Sequence, residues 1–86
     1  MLIKVLAAEG NLSSASNVAS ATVVRLYNNH SAALLITRKD SGGTTIGSFT
    51  LGTLQSIVIE KDYTETLTAA SNGGSVKVVK VAFTIS

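Results

Sequence analysis

Cysteine, proline and tryptophan are absent from this chain, and histidine occurs once. Without cysteine there is no disulfide framework and no thiolate metal site. His30, standing alone, leaves no histidine cluster to hold a metal. Without proline, no strand edge has that form of protection against pairing. Charge is scarce as well: Asp, Glu, Lys and Arg make up 14% of the residues, against about a quarter in ordinary soluble domains. The seven Lys and Arg leave a net charge of +2 and form no run, so no nucleic-acid partner is expected. No uncharged apolar stretch approaches the ~20 residues that span a bilayer. The opening MLIKVLAAEGN offers no convincing cleavage site. No membrane partner is expected, and synthesis in the cytoplasm is.

What takes the place of charge is Ser, Thr, Ala, Asn and Gly. A surface of that kind costs little to desolvate and suits burial against other proteins. With 86 residues the chain has room for one domain, residues 1–86. A domain of this size buries only ~60–65% of the surface that its unfolded chain exposes. Neither a disulfide nor a Cys- or His-based metal site can supplement so thin a core, which leaves a self-sufficient core or neighbouring subunits. The scarcity of charge favours the second, and the chain is read as a homo-oligomer.

Strand signals dominate the rest. Leu2–Ala8 (LIKVLAA) reads as a first strand, with Lys4 at a solvent or edge position. Residues 11–21 (NLSSASNVASA) are small, polar and turn-prone. Together 1–21 form a candidate N-terminal strand and arm. Thr22–Asn28 and Ala33–Lys39 are strands, the first with Val24 and Leu26 on one face, the second with Leu34 and Ile36. Asp40-Ser41-Gly42-Gly43 is a hairpin turn. Thr44–Leu51 follows as a strand, in which Gly47 suggests a bulge. Ser56–Lys61 is a fifth strand. Asp62-Tyr63-Thr64-Glu65 has the spacing of a capping box, which predicts one helical turn ending near Leu67 or Thr68. After a turn at Ser71–Gly74, Val76–Ile85 is a long last strand, with Val79, Val81, Phe83 and Ile85 as its apolar face. About six strands with regularly spaced turns predict an all-β fold, a small antiparallel β-sandwich or barrel with one short helical turn.

No catalytic set stands out, and the chain is not expected to be an enzyme. His30 lies in a turn, with no Ser or Thr marked as its nucleophile. Glu60, Asp62 and Glu65 are close enough in sequence to suggest a cation site, but no calcium-loop pattern surrounds them. Capping and pairing with Lys61 account for them. Asp40–Gly43 lacks the Gly-Lys-Ser/Thr ending of a phosphate loop. Arg25 and Tyr27 on one strand, with Arg38 on a neighbouring one, make the best basic patch available, and it is sparse. No cofactor is expected.

The segment 20–67 carries a resemblance. Its VRLYN strand, TRKDSGGTTIGSFTL hairpin and IVIEKD strand, with the KVVKVAF ending beyond them, resemble small β-sandwich virion proteins of marine and cyanobacterial tailed bacteriophages. The resemblance implies a virion structural role, most directly that of a capsid decoration or cement protein bound to the major capsid protein. A neck or tail accessory protein is the alternative. A carbohydrate- or host-surface-binding module is a further one, weakened by the presence of only four aromatic residues. The resemblance brings no catalytic residues with it. In this reading the N-terminal arm bridges shell subunits by β-edge pairing. Its apolar residues Leu2, Ile3, Val5, Leu6, Leu12 and Val18 are the expected contacts.

Overall fold

The computed structural model describes residues 2–84, and only the backbone at Thr84. It contains eight strands: β1 (Leu2–Val5), β2 (Gly10–Asn11), β3 (Val23–Asn28), β4 (Leu34–Lys39), β5 (Thr45–Leu51), β6 (Ser56–Glu60), β7 (Thr66–Ala69) and β8 (Val76–Thr84). They make two antiparallel sheets. One runs β1-β8-β3-β6, with β2 also paired to β8; the other runs β5-β4-β7. The fold is therefore a small all-β sandwich, as the alternation and turn spacing predict.

The core forms where the inward faces of the two sheets meet. Val24 and Leu26 of β3, Leu34 and Ile36 of β4, Leu51 of β5, Leu67 of β7, and Val76 and Val78 of β8 are all buried there. Phe49 and Ile59 pack against this cluster from the side where β5 and β6 form the outer strands. Every connection from Asn29 to Ser75 crosses between sheets, except the β4–β5 hairpin. In that hairpin Asp40 Oδ1 accepts from the N–H groups of Gly42 and Thr44, and Gly43 takes φ +87°. The register slips between Arg38 and Lys39, leaving Ile46 as the extra residue beside the glycine that signalled a bulge.

Asn28 is a buried polar hub at the end of β3. Its Nδ2 donates to the carbonyls of Ala32 and Leu51, both at 3.0 Å, and its Oδ1 accepts from His30 N–H at 2.8 Å. One side chain thus satisfies three main-chain groups and ties the two sheets together at that end.

Several expectations are corrected. Asp62–Glu65 does not start a helix. Glu65 Oε1 accepts from Asp62 N–H at 2.8 Å, which is the bond a capping box predicts. The chain then extends into β7, because Thr66–Ala69 pairs with β4. The one helical turn is instead a 3-10 turn at Gly73–Ser75. β8 is buried at both parities: Val76 and Val78 lie in the core cluster, and Val79 and Val81, on the apolar face expected for this strand, are buried outside that cluster. Ile85, expected on that face, lies outside the described residues.

The arm is corrected too. Residues 12–21 cover their own sandwich, on the side of β7 and β2. Leu12 and Val18 are buried in the core cluster, and Ser16 pairs with Leu67. They are core residues and not surface contacts. Leu12 lies so close over Gly73 that a Cβ there would sit 1.8 Å from the Leu12 carbonyl oxygen. The segment closes with a left-handed turn in which Val18, Ala19 and Ser20 have φ of 54°, 56° and 56°. Such a conformation costs non-glycine residues roughly 1–2 kcal/mol each. Two lysines help hold it: Lys61 Nζ donates to Ala21 O at 2.7 Å, and Lys80 Nζ to Ala19 O at 3.3 Å.

Candidate interaction surface

Beyond Lys80, β8 leaves its pairing with β3 behind and continues to Thr84 paired with β1 alone. The result is a two-stranded ribbon at the end of the five-stranded sheet. The register sets Ile3 opposite Phe83 and Val5 opposite Val81 on one face, and Leu2 and Lys4 opposite Thr84 and Ala82 on the other. The chain then loops through residues 6–9 before β2 rejoins the same edge of β8 at Val78.

Most of the large apolar side chains of this ribbon are exposed, with Val81, at its root, the buried exception. Leu2, Ile3, Val5, Leu6 and Phe83 are between 45% and 62% exposed. These large hydrophobic groups cluster on one projection, on both faces of it, and contiguous exposed apolar surface marks an interaction site more often than chance does. Four of the six residues expected as contacts, Leu2, Ile3, Val5 and Leu6, are brought together here. Phe83 joins them; its place was concealed in sequence by a strand that is apolar on both faces.

The ribbon also has an open hydrogen-bonding edge. Leu6 N–H donates to Lys80 O at 2.9 Å, in the register of the β1–β8 ladder. Alternation along an antiparallel pair then turns the main-chain groups of Leu2 and Lys4 toward β8 and those of Ile3 and Val5 outward. The same reasoning leaves Ser48 and Thr50 of β5 facing outward, since Leu35 O is taken by Ala70 N–H. It leaves Ser56, Val58 and Glu60 of β6 outward as well, since Asn28 N–H donates to Gln55 O. These two edges differ from the ribbon. β5 is interrupted by the bulge, β6 ends on a charge, and each belongs to a sheet packed on its inner face.

Two hollows accompany these edges. One, of about 220 Å³, opens between β5 and β6 over Phe49 and Ile59, flanked by Arg38 and Glu60. The other, of about 160 Å³, lies between Ala7, Gly10 and Asn11 on one side and Ala19, Val78 and Lys80 on the other. Arg38 Nε stands 3.5 Å from Glu65 Oε1. Glu65 is thereby committed to an ion pair and a turn bond, and Glu60, Asp62 and Glu65 do not converge. No group of three or more His, Cys, Asp and Glu side chains comes together among the described residues.

Other expected placements change. Arg38 is in the opposite sheet from Arg25 and Tyr27, whose neighbours are β6 and β8, so the basic patch is not assembled. His30 sits on the link after β3, its carbonyl accepting from Thr53 Oγ1. The four aromatic residues fall on four separate segments: Tyr27 on β3, Phe49 on β5, Tyr63 in the link after β6, and Phe83 on β8. Lys61 is buried, and desolvation lowers its amine below the ordinary value of 10.5 against the opposing pull of Glu65 and Asp62. Its bonds to the carbonyls of Ala21 and Asp62 make it a brace for the 12–21 segment. No helix among the described residues is long and apolar enough to cross a membrane. No protein family, curated protein or solved structure matches this chain.

Proposed function

We propose that this chain is a non-enzymatic structural protein that attaches to a larger protein assembly through the β1–β8 ribbon. In the specific form implied by the resemblance of residues 20–67, the assembly is a virus shell and the chain decorates or cements it. The observation that carries the attachment is the ribbon itself: exposed apolar side chains on both faces, beside outward-facing main-chain groups at Ile3 and Val5. A strand laid against that edge gains main-chain hydrogen bonds, and the flanking apolar groups leave water in the same step. The low charge of the whole surface keeps the desolvation cost of such packing small. A place in the neck or tail uses the same surface and differs in copy number.

Two measurements test this. Quantitative mass spectrometry of purified phage particles gives the ratio of this chain to the major shell subunit. A ratio near unity supports decoration, a few copies per particle support the neck or tail, and absence removes the virion reading. Deleting Met1–Ala8 should abolish attachment while the circular dichroism of the remaining sandwich persists. A deleted chain that folds and still binds particles normally would sink the ribbon as the docking surface.

A further inference from the structure

The ribbon edge carries one charged side chain, Lys4, and its position in the ladder decides which strands the edge can accept. We infer that Lys4 is a selector: it prevents the ribbon from pairing with a second copy of this chain, and it favours a strand of a different protein that sets a carboxylate opposite it. This rests on the ribbon being the docking surface and names the chemistry of what docks there.

The argument follows from register. Ile3 and Val5 turn their N–H and C=O groups outward, while Lys4 turns its own toward β8. Two copies of β1 meeting antiparallel can use all the outward groups about one twofold axis only, the axis through Lys4. Ile3 then faces Val5 of the other copy and Val5 faces its Ile3, which makes four N–H···O bonds. The same axis sets Lys4 directly opposite Lys4 in a non-hydrogen-bonded pair, where cross-strand Cβ atoms stand roughly 4.5–5.5 Å apart and like charges oppose pairing. Slipping by one residue joins an outward group to an inward one. Axes through Ile3 or Val5 keep a single pair of described outward residues, which halves the ladder. Among the described residues, the register that makes the fullest self-pairing ladder is therefore the one that Lys4 penalises.

Among the described residues, no side chain forms an ion pair with Lys4. The ion pair among the described residues joins Arg38 to Glu65, both remote from the ribbon in sequence and in sheet. Lys80, opposite Leu6, directs its amine to Ala19 O. Lys4 is exposed and free to meet an incoming carboxylate. Lysine on an edge strand is one of the ways by which natural sheets suppress edge-to-edge association. Here the edge is otherwise unguarded, with apolar residues at positions 2, 3, 5 and 6 and no proline. A partner strand that alternates apolar residues about a central Asp or Glu satisfies the same four main-chain bonds and converts the repulsion into an attraction. The difference between opposite and like charges at one cross-strand position corresponds to about fivefold to tenfold in affinity.

The experiment is a charge swap on the full chain, read by sedimentation equilibrium. Wild type and Lys4→Glu should each be monomeric, because each opposes itself. An equimolar mixture should form a heterodimer about fivefold to tenfold tighter than either self-association. Lys4→Thr, which removes the charge and keeps strand propensity, should form a homodimer. Amide chemical shifts of Ile3 and Val5 should move in the mixture and in the Lys4→Thr dimer. Monomers throughout, or a wild-type dimer whose Ile3 and Val5 amides are protected, would overturn the selector role. Neither result touches the docking reading, which stands or falls separately on whether the chain lacking residues 1–8 still attaches to particles.

Discussion

The body of the sandwich and the ribbon are built from the same kinds of residue and use them in opposite ways. In the body, Val24, Leu26, Ile36 and Val76 are removed from water altogether. In the ribbon, Leu2, Ile3, Val5 and Leu6 keep close to half or more of their surface in water. Both regions are ladder-paired, so strand formation does not separate them. A second layer does: β4 and β5 lie across from β3 and β6, whereas the ribbon has no sheet opposite it. Burial of a large aliphatic side chain supplies about 1.5–3 kcal/mol, and at these four positions the ribbon leaves about half of that gain unused in the isolated chain. Apolar surface that does not serve folding is available to serve association.

The largest test of this contrast is Leu26→Ala, which should cost about 3–4 kcal/mol in urea denaturation, because it empties a site with no exposure. A cost under 1 kcal/mol would mean that the two-layer core is not the source of stability. Asn28→Ala should follow at about 2–3 kcal/mol, since it strands the carbonyls of Ala32 and Leu51 and the N–H of His30. Ser20→Gly should stabilise by about 1 kcal/mol, because glycine adopts φ near 56° without the strain that serine bears there. An unchanged or lower midpoint would show that the left-handed turn is not strained. At the far end of the scale, Val5→Ala should change stability by less than about 0.5 kcal/mol while weakening particle attachment. A large loss of stability from that change would erase the distinction between body and ribbon.

Lys61 sharpens the comparison through pH. Its folded-state pKa lies below its unfolded value of 10.5, with desolvation as the leading cause. Between the lowered value and 10.5 the unfolded chain binds more protons than the folded one, so stability rises with pH across that window. Below the window the charged amine carries a constant burial cost. Measured against Lys61→Met, which does not titrate, wild type should therefore gain stability as pH climbs toward 10.5. A difference that stays flat over that range would mean that the amine is solvated in the fold.

Much of the body is legible in the residues themselves. Alternation in TVVRLYN and ALLITRK marks β3 and β4 and orients Val24, Leu26, Leu34 and Ile36 inward, as observed. Asp40–Gly43 announces its hairpin because few residues other than glycine accept the φ that Gly43 adopts. What fails does so for identifiable reasons. VKVVKVAF is apolar at both parities, so period alone cannot say which face meets the core. The capping-box bond forms, yet a free row of hydrogen-bonding groups on β4 draws Thr66–Ala69 into a strand, a long-range effect that no local motif encodes. Leu12 and Val18 stand in a polar stretch that reads as a surface arm. They are drawn inward because the side of the sandwich beside β7 would otherwise be bare. The apolar character of the ribbon is visible in sequence, but its exposure is a property of topology: only the finished sheet order shows that nothing lies across from it.

β8 belongs to both regions without a break, and this gives the ribbon a mechanical character. From Val76 to Lys80 the strand is laced to β3, and from Val81 to Thr84 to β1. Tension applied to the ribbon along its axis reaches the body as shear across the whole β8–β3 ladder, whose bonds share the load at once. A pull at right angles would instead peel them one by one. An attachment made through this ribbon is strong in one direction and weak in another, so the molecule can serve as a tie only when the strand axis lies along the line of stress.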